Sequence, residues 1–123
     1  MNLVRLKGAA KKRPWLLPPF SNMKEYLQSA FTIAKKANFN IITEGFPLCF
    51  LNGFKVHSIE AYRIAKNFAN WNKGYIKAKI CKKCSLKKLC PGIRIDYFSI
   101  HKTDGIKPSR KRISNIIKKL PLH

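Results

Sequence analysis

Apolar residues recur at helical spacing between residues 22 and 37 of the chain. Ser21 precedes this stretch, and its short hydroxyl side chain is typical of a helix N-cap. Side chains three and four positions apart lie on one face of a helix. The pattern therefore predicts an amphipathic helix that packs on the core through Met23, Tyr26, Leu27, Ala30, Phe31 and Ala34.

Two short stretches on either side of this helix predict strands, residues 2–6 and the β-branched residues 39–43. Prolines between the first strand and the helix fix φ and remove backbone donors, which indicates a loop. A helix followed by a buried strand favours a parallel sheet, so the predicted fold class is α/β. In such sheets the loop after a strand carries the chemistry, and residues 44–49 form that loop here.

The rest of the chain has weaker periodicity. Residues 58–71 predict a second helix, although Ile64 falls outside its main apolar stripe. Residues 93–100 alternate like a strand but are equally compatible with the start of a helix. Residues 109–120 read as a short basic amphipathic helix, suited either to docking on a partner or anionic surface or to covering a small apolar seam.

Cysteine spacing is the most specific chemical feature of the sequence. Cys81, Cys84 and Cys90 form a C-x2-C-x5-C-P-G motif, and Cys49 follows a proline upstream. A C-x2-C pair lets two sulfurs bind one metal centre from a tight loop, and the other two cysteines complete a set of four thiolates. Free buried thiols or two disulfides are the alternative, and no secretory signal favours disulfides. His57 is a less favoured substitute ligand.

The chain is strongly basic, with 26 Lys and Arg against 5 Asp and Glu and a net charge of +21 over 123 residues. Such a balance usually indicates an anionic partner, most often nucleic acid. The abundance of Lys, Ile and Asn also fits AT-rich codon usage, so part of the charge has a second explanation. The N-terminus lacks the apolar run of a secretory signal, and no apolar stretch is long enough for a membrane span. We therefore expect a cytoplasmic protein with no membrane partner.

A resemblance to a known family rests on a series of motifs. These are L-L-P-P-F-S, a helix, N-I-I-T-E-G-F-P-L-C, C-x2-C-x5-C-P-G, Asp96-Tyr97, and Gly105 with Pro108. The series resembles the C-terminal part of radical SAM proteins that end in a cysteine-rich SPASM or twitch region. It spans residues 3–108, with the cysteine segment its most specific part.

The resemblance implies the last βα units of a partial (β/α) barrel, then a cysteine-rich loop that binds an auxiliary iron–sulfur cluster of the [4Fe-4S] type. The basic C-terminal helix predicted from residues 109–120 would follow this loop. The ligands that the resemblance implies are Cys49, Cys81, Cys84 and Cys90, with Gly92 and Tyr97 at the turn and aromatic positions that follow. It divides the chain into a barrel-like segment (1–56), a helix with the cluster-binding segment (57–108) and a basic tail (109–123).

The chain departs from the family in lacking the C-x3-C-x2-C motif that binds the SAM-cleaving cluster, together with the early barrel strands. The expected function is therefore electron transfer or structural support for a separate radical SAM subunit, with no independent enzyme activity. Nothing in the sequence resembles a catalytic triad or a phosphate-binding loop. Lysines inside the cysteine loop would offset the charge of four thiolates, or form a solvated surface: Lys82, Lys83, Lys87 and Lys88.

The competing hypothesis is a small four-cysteine zinc protein that binds RNA or DNA. Its charge favours this function, as do aromatic side chains near basic residues that would stack on bases: Trp15, Phe20, Trp71 and Tyr75. Zinc ribbons, however, usually carry two C-x2-C-like knuckles, whereas Cys49 stands alone. A gene remnant without function is a third possibility.

Overall fold

The computed structural model describes residues 8–68 and 73–120. The predicted strand over residues 2–6 lies outside these ranges, as does Trp71. Short helices and two very short strands make up the regular structure: α1 (Phe20–Lys36), α2 (Ile59–Ala65), β1 (Tyr75–Ile76), β2 (Ile93–Arg94), α3 (Ile95–His101) and α4 (Ile113–Ile117). Single 3-10 turns lie between them: Gly8–Lys12, Pro14–Leu16, Leu48–Phe50, Lys55–His57 and Lys79–Lys83.

Helix α1 confirms the first predicted helix, but its start and its apolar face differ in detail. The N-cap is Pro19 and not Ser21, whose hydroxyl donates instead to Asp104 Oδ2 at 2.7 Å. Phe31 is buried as predicted, whereas Tyr26 is 80% exposed. The helix ends where Asn38 adopts a φ of 59°, a left-handed conformation that asparagine tolerates better than most residues.

The predicted strand over residues 39–43 is wrong. In this segment only Thr43 makes a β-bridge, a parallel one with Ser58. Thr43 accepts a hydrogen bond from the N–H of Ile59, and its own N–H donates to the carbonyl of His57. Phe39 is 72% exposed, so the apolar residues of this segment do not all enter the core.

The sheet of the described residues is antiparallel and has two strands, with Ile76 paired to Ile93. A mixture of helices and strands is therefore confirmed at a coarse level. The parallel sheet expected from the strand–helix order is not present in residues 8–68 and 73–120, and these residues form no barrel. The physical reason is that residues 39–43 find only one rung of pairing.

Residues 58–71 form a shorter helix than predicted. Ser58 caps α2 by accepting a hydrogen bond from Ala61 N–H at 3.1 Å, and the helix ends before Asn67 turns to a φ of 58°. Residues 93–100 contain both alternatives that periodicity left open, since β2 leads directly into α3. The tail helix is present as the five-residue α4, with Ile116 buried.

One hydrophobic core joins the three segments that the sequence suggested. Side chains from each segment belong to it, among them Phe31, Leu48, Leu86, Tyr97, Ile106 and Ile116. Part of this core is an aromatic cluster, which we define as Phe20, Phe46, Phe50 and Tyr97. None of the helices in the described ranges has the length and apolar character needed to cross a membrane.

Candidate metal centre

Three of the cysteines lie in the connection between the two strands of the sheet. Cys81 belongs to the 3-10 turn Lys79–Lys83, and Cys84 ends that turn by donating its N–H to the Cys81 carbonyl at 3.0 Å. Cys90 closes the next turn, where its N–H donates to the Leu86 carbonyl at 2.9 Å. Pairing of β1 with β2 brings the two ends of this connection together. The motif therefore folds as one closed loop.

Gly92 allows the chain to turn from the end of this loop into β2. Its φ is 95°, and a Cβ at this position would lie 2.3 Å from the backbone oxygen of Ile76. A side chain there would meet both backbone strain and a clash with β1. The turn position that the resemblance assigned to Gly92 is therefore a place where glycine is required.

Cys49 reaches the same site from a separate part of the chain. It lies in the 3-10 turn Leu48–Phe50, which follows the extended Pro47. Glu60, which is only 1% exposed, fixes the preceding segment because its carboxylate accepts the N–H of Gly45. The same carboxylate accepts the hydroxyl of Tyr75 in β1 at 3.0 Å. Glu60 thus ties the Cys49 segment to the strand that begins the cysteine loop.

All four cysteines line one cavity, which we call the cysteine cavity. Its remaining walls are mostly apolar: Leu48, Leu86, Ile93 and Ile106 are among them. None of the four thiols takes part in a disulfide. In this conformation the cavity offers about 20 Å³, room for about one water molecule. A larger group would occupy it only with the thiols moved outward.

Backbone N–H groups surround the sulfurs of three cysteines. Leu48 and Gly92 each donate to Cys90 Sγ at 3.4 Å, and Ser109 donates to Cys84 Sγ at 3.2 Å. The N–H of Lys107 is a further donor, to Cys49. Donors of this kind stabilise thiolates and tune metal centres that thiolates bind.

Burial dominates the acidity of the two most enclosed thiols. It raises the pKa of Cys90 to about 11, although the N–H donors from Leu48 and Gly92 act in the opposite direction. Burial also raises the pKa of Cys49, against the hydrogen bond from Lys107 and the nearby charge of Lys55. Both thiols are therefore protonated near neutral pH in the metal-free chain, and a metal must displace their protons.

In the described part of the chain, no group of three or more His, Cys, Asp or Glu side chains is placed to hold a metal ion. The four thiols share a cavity without converging on one point. His57 does not line that cavity, and its Nδ1 lies 3.1 Å from the Ile41 carbonyl oxygen. The structure therefore brings the cysteines predicted as ligands to one place, and it leaves His57 outside.

Lysines surround the cavity. The four lysines of the cysteine loop are exposed, as expected for a solvated surface: Lys82, Lys83, Lys87 and Lys88. Lys55 and residues 107–109 also lie at the site, and the sequence pattern did not predict them there. Lys55 is 7% exposed, which no feature of the sequence indicates. The donors at Lys107 and Ser109 belong to the backbone and have no side-chain signal, although Pro108 was part of the resemblance.

The aromatic residues proposed to stack on bases are mostly engaged elsewhere. Phe20 is buried and stacks on Tyr97 with 3.8 Å between ring centroids. Tyr75 is partly buried and donates its hydroxyl to Glu60. Trp15 is 70% exposed and remains accessible to a partner.

Comparison of the chain with family models, with curated proteins and with solved structures gave no match in any of the three.

Proposed function

We propose that this chain binds an iron–sulfur cluster, of the [4Fe-4S] type, through Cys49, Cys81, Cys84 and Cys90. The observation that carries the proposal is that four cysteines, drawn from two distant parts of the chain, line one largely apolar cavity. Cysteine thiolates are the standard ligands of such clusters. The donor set therefore fits the group.

The backbone donors support the same assignment. Three N–H groups lie 3.2–3.4 Å from sulfurs of Cys84 and Cys90. Hydrogen bonds to ligand sulfurs are one of the factors that set the potential of an iron–sulfur centre. Their arrangement provides the partners that four thiolates need once a metal has displaced their protons.

A cluster and a single zinc ion place different demands on the positions of the four thiols. In a zinc site each sulfur lies about 2.3 Å from one ion, so tetrahedral geometry puts the sulfurs only about 3.8 Å apart. No three metal-binding side chains in residues 8–68 and 73–120 are placed to hold one ion. Cluster ligands bind separate irons, so they surround a volume instead of a point.

The role we propose is electron transfer or structural support for a separate radical SAM protein. Four thiolate ligands leave no iron open to a substrate. The bound cluster would supply a one-electron redox centre, and this chain's own residues would hold it, shield it from water and donate hydrogen bonds to its ligands. The resemblance of the cysteine segment to the cysteine-rich region of radical SAM proteins suggests the class of partner. Exposed lysines on the cysteine loop are suited to an acidic surface on that partner.

Replacement of single ligands tests the proposal. Cys84→Ser and Cys90→Ser should each reduce iron bound per chain, after anaerobic reconstitution with iron and sulfide, to less than about half of the wild-type content, because each removes one of four ligands. Ser85→Ala alters the same loop without removing a thiol and should retain the iron. Iron content that is equal in all four proteins would overturn the assignment.

A zinc protein that binds nucleic acid is the second candidate. Its supporting observation is the rim of exposed basic side chains around Cys84, which includes Lys82, Lys83, Lys88 and Arg110. Counterion release from nucleic acid would favour binding to such a surface. Burial of Phe20 weakens this candidate, since one of its stacking residues is inside the core. About one zinc per chain and no sulfide would favour it over the cluster.

A further inference from the structure

A second cavity is lined by residues from the start of α1, from the segment 49–55 and from the segment 104–111. We call it the basic cleft. Its volume is about 580 Å³, within the range of about 300–1,000 Å³ that small-molecule sites occupy. It is separate from the cysteine cavity, although Cys49, Lys107 and Pro108 line both.

Charge sets the basic cleft apart. Four lysines line it, Lys24, Lys55, Lys107 and Lys111. Its carboxylate, that of Asp104, already accepts hydrogen bonds from the hydroxyl and the N–H of Ser21. The cleft is thus lined by four lysines and by one carboxylate that has partners of its own. Such a concave surface attracts anions.

Lys55 is the most informative of the four lysines. It is 7% exposed, and within residues 8–68 and 73–120 its ammonium makes no hydrogen bond and no salt bridge with a carboxylate. Burial lowers its pKa, and the like charge of Lys111 lowers it further. The nearby cysteines act in the opposite direction. Lys55 and Lys111 both line the cleft, so an anion bound there would offset the repulsion between their like charges.

The chain itself offers few carboxylates to fill this role. It has 5 Asp and Glu in all. Glu60 is held by Gly45, Ser58 and Tyr75, and Asp96 is paired with Arg94. Of the carboxylates in residues 8–68 and 73–120, only that of Asp104 lines the cleft, so the chain supplies little carboxylate charge beside Lys55 and Lys111.

We propose that the basic cleft binds a small phosphate-bearing anion, of the size and charge of a diphosphate. Lysine ammonium groups are established point-charge partners of phosphate. The hydroxyl of Ser109, which also lines the cleft, is a neutral donor for a further phosphate oxygen. Binding there does not depend on a cluster in the cysteine cavity, so it stands apart from the function proposed above.

Calorimetric titration of the full chain with inorganic diphosphate, at fixed ionic strength near 0.15 M, tests this site. Saturable binding of one diphosphate per chain is expected. Lys111→Gln and Lys55→Met should each weaken it about tenfold, the effect of one lost hydrogen bond to a charged group. Lys66→Gln removes the same charge from an exposed residue at the end of α2, outside the cleft, and should change the affinity less than about twofold by screening alone.

The two cleft variants separate binding from folding. Lys111 is exposed, so its replacement should leave the melting temperature unchanged, whereas Lys55→Met keeps the apolar stem of a buried side chain. Equal weakening by Lys66→Gln would overturn the proposal, since it would assign binding to the diffuse positive field of the chain. A single-stranded oligonucleotide that binds with the same loss in all three variants, and that diphosphate does not displace, would also overturn it in favour of a nucleic-acid surface.

Discussion

The aromatic cluster and the cysteine cavity lie side by side in one core, yet their polar groups are satisfied in different ways. In the aromatic cluster, Tyr97 Oη accepts the N–H of Phe20 at 2.8 Å and donates to the Asp104 carbonyl at 2.9 Å. In the cysteine cavity, N–H donors point at buried thiols, which are weak acceptors while they remain protonated. The polar groups of the aromatic cluster are therefore hydrogen-bonded without any bound group. The cysteine cavity has N–H donors arranged for the negative charge that the thiolates would carry once a metal had displaced their protons.

The largest expected difference between the two regions concerns metal removal. We expect oxidation and chelation to abolish the cooperative thermal transition or lower its midpoint by more than about 10 °C, because metal binding to thiolates contributes directly to folding free energy. Circular dichroism during heating measures this effect. Reconstitution with iron and sulfide should restore the transition. An unchanged midpoint would mean that the cysteine cavity, like the aromatic cluster, is stable without a bound metal.

Truncation within the aromatic cluster should destabilise the chain strongly but leave the cysteine ligands in place. Phe20→Ala removes a ring that is 1% exposed and stacked on Phe50 and Tyr97. The expected cost is about 3–5 kcal/mol of unfolding free energy, measured by urea denaturation of the iron-loaded chain. Trp15→Ala, at a side chain 70% exposed, should cost less than about 0.5 kcal/mol. Similar costs for the two variants would contradict the packing described for Phe20.

Replacement of Gly92 tests whether the backbone of the cysteine cavity affects both stability and the bound cluster. Gly92→Ala introduces a Cβ that lies 2.3 Å from the Ile76 oxygen, in a residue whose N–H donates to Cys90 Sγ. We expect a loss of about 1–3 kcal/mol together with a shift in the absorbance spectrum of the bound cluster. Gly53→Ala is the matched control, since Gly53 has a φ of 80° and no atom within 4 Å of the added Cβ. If both variants lost the same stability and kept the same spectrum, Gly92 would have no special connection to the site.

Removal of one hydroxyl in the aromatic cluster should change stability alone, with no effect on the spectrum of the bound cluster. Tyr97→Phe leaves the ring stacking but removes the partner of Phe20 N–H and of the Asp104 carbonyl. Loss of these buried hydrogen bonds should cost about 1–3 kcal/mol, read from the shift in the denaturation midpoint. Tyr26→Phe, at a residue 80% exposed, should be neutral. A neutral Tyr97→Phe would show that water replaces the hydroxyl without loss.

The sequence was most informative where a local rule operates. Helical spacing located α1 and placed the start of α2 near residue 58, where Ser58 is found to cap the helix. The cysteine spacing correctly placed Cys81, Cys84 and Cys90 in one loop, and it grouped Cys49 with them across the intervening helix. Metal binding by these residues stays a prediction.

Features set by tertiary contacts were not accessible from the sequence pattern. The β-branched residues before Thr43 have strand propensity, but residues 39–43 are not part of a strand, and Thr43 makes an isolated bridge to Ser58. The N-terminal end of α1 is fixed by Tyr97 and Asp104, far away in the chain, so Ser21 does not serve as its cap. Burial of Lys55 likewise follows from the packing of distant segments. A pattern of polar and apolar residues along the chain does not predict such contacts between distant segments.

The central claim is that the cysteine cavity holds an iron–sulfur cluster, and the most direct test is elemental analysis with an absorbance spectrum of the chain purified without oxygen. We expect about four irons and four sulfides per chain, with a broad band near about 400 nm. A colourless protein with about one zinc, or with no metal after reconstitution, would contradict the claim.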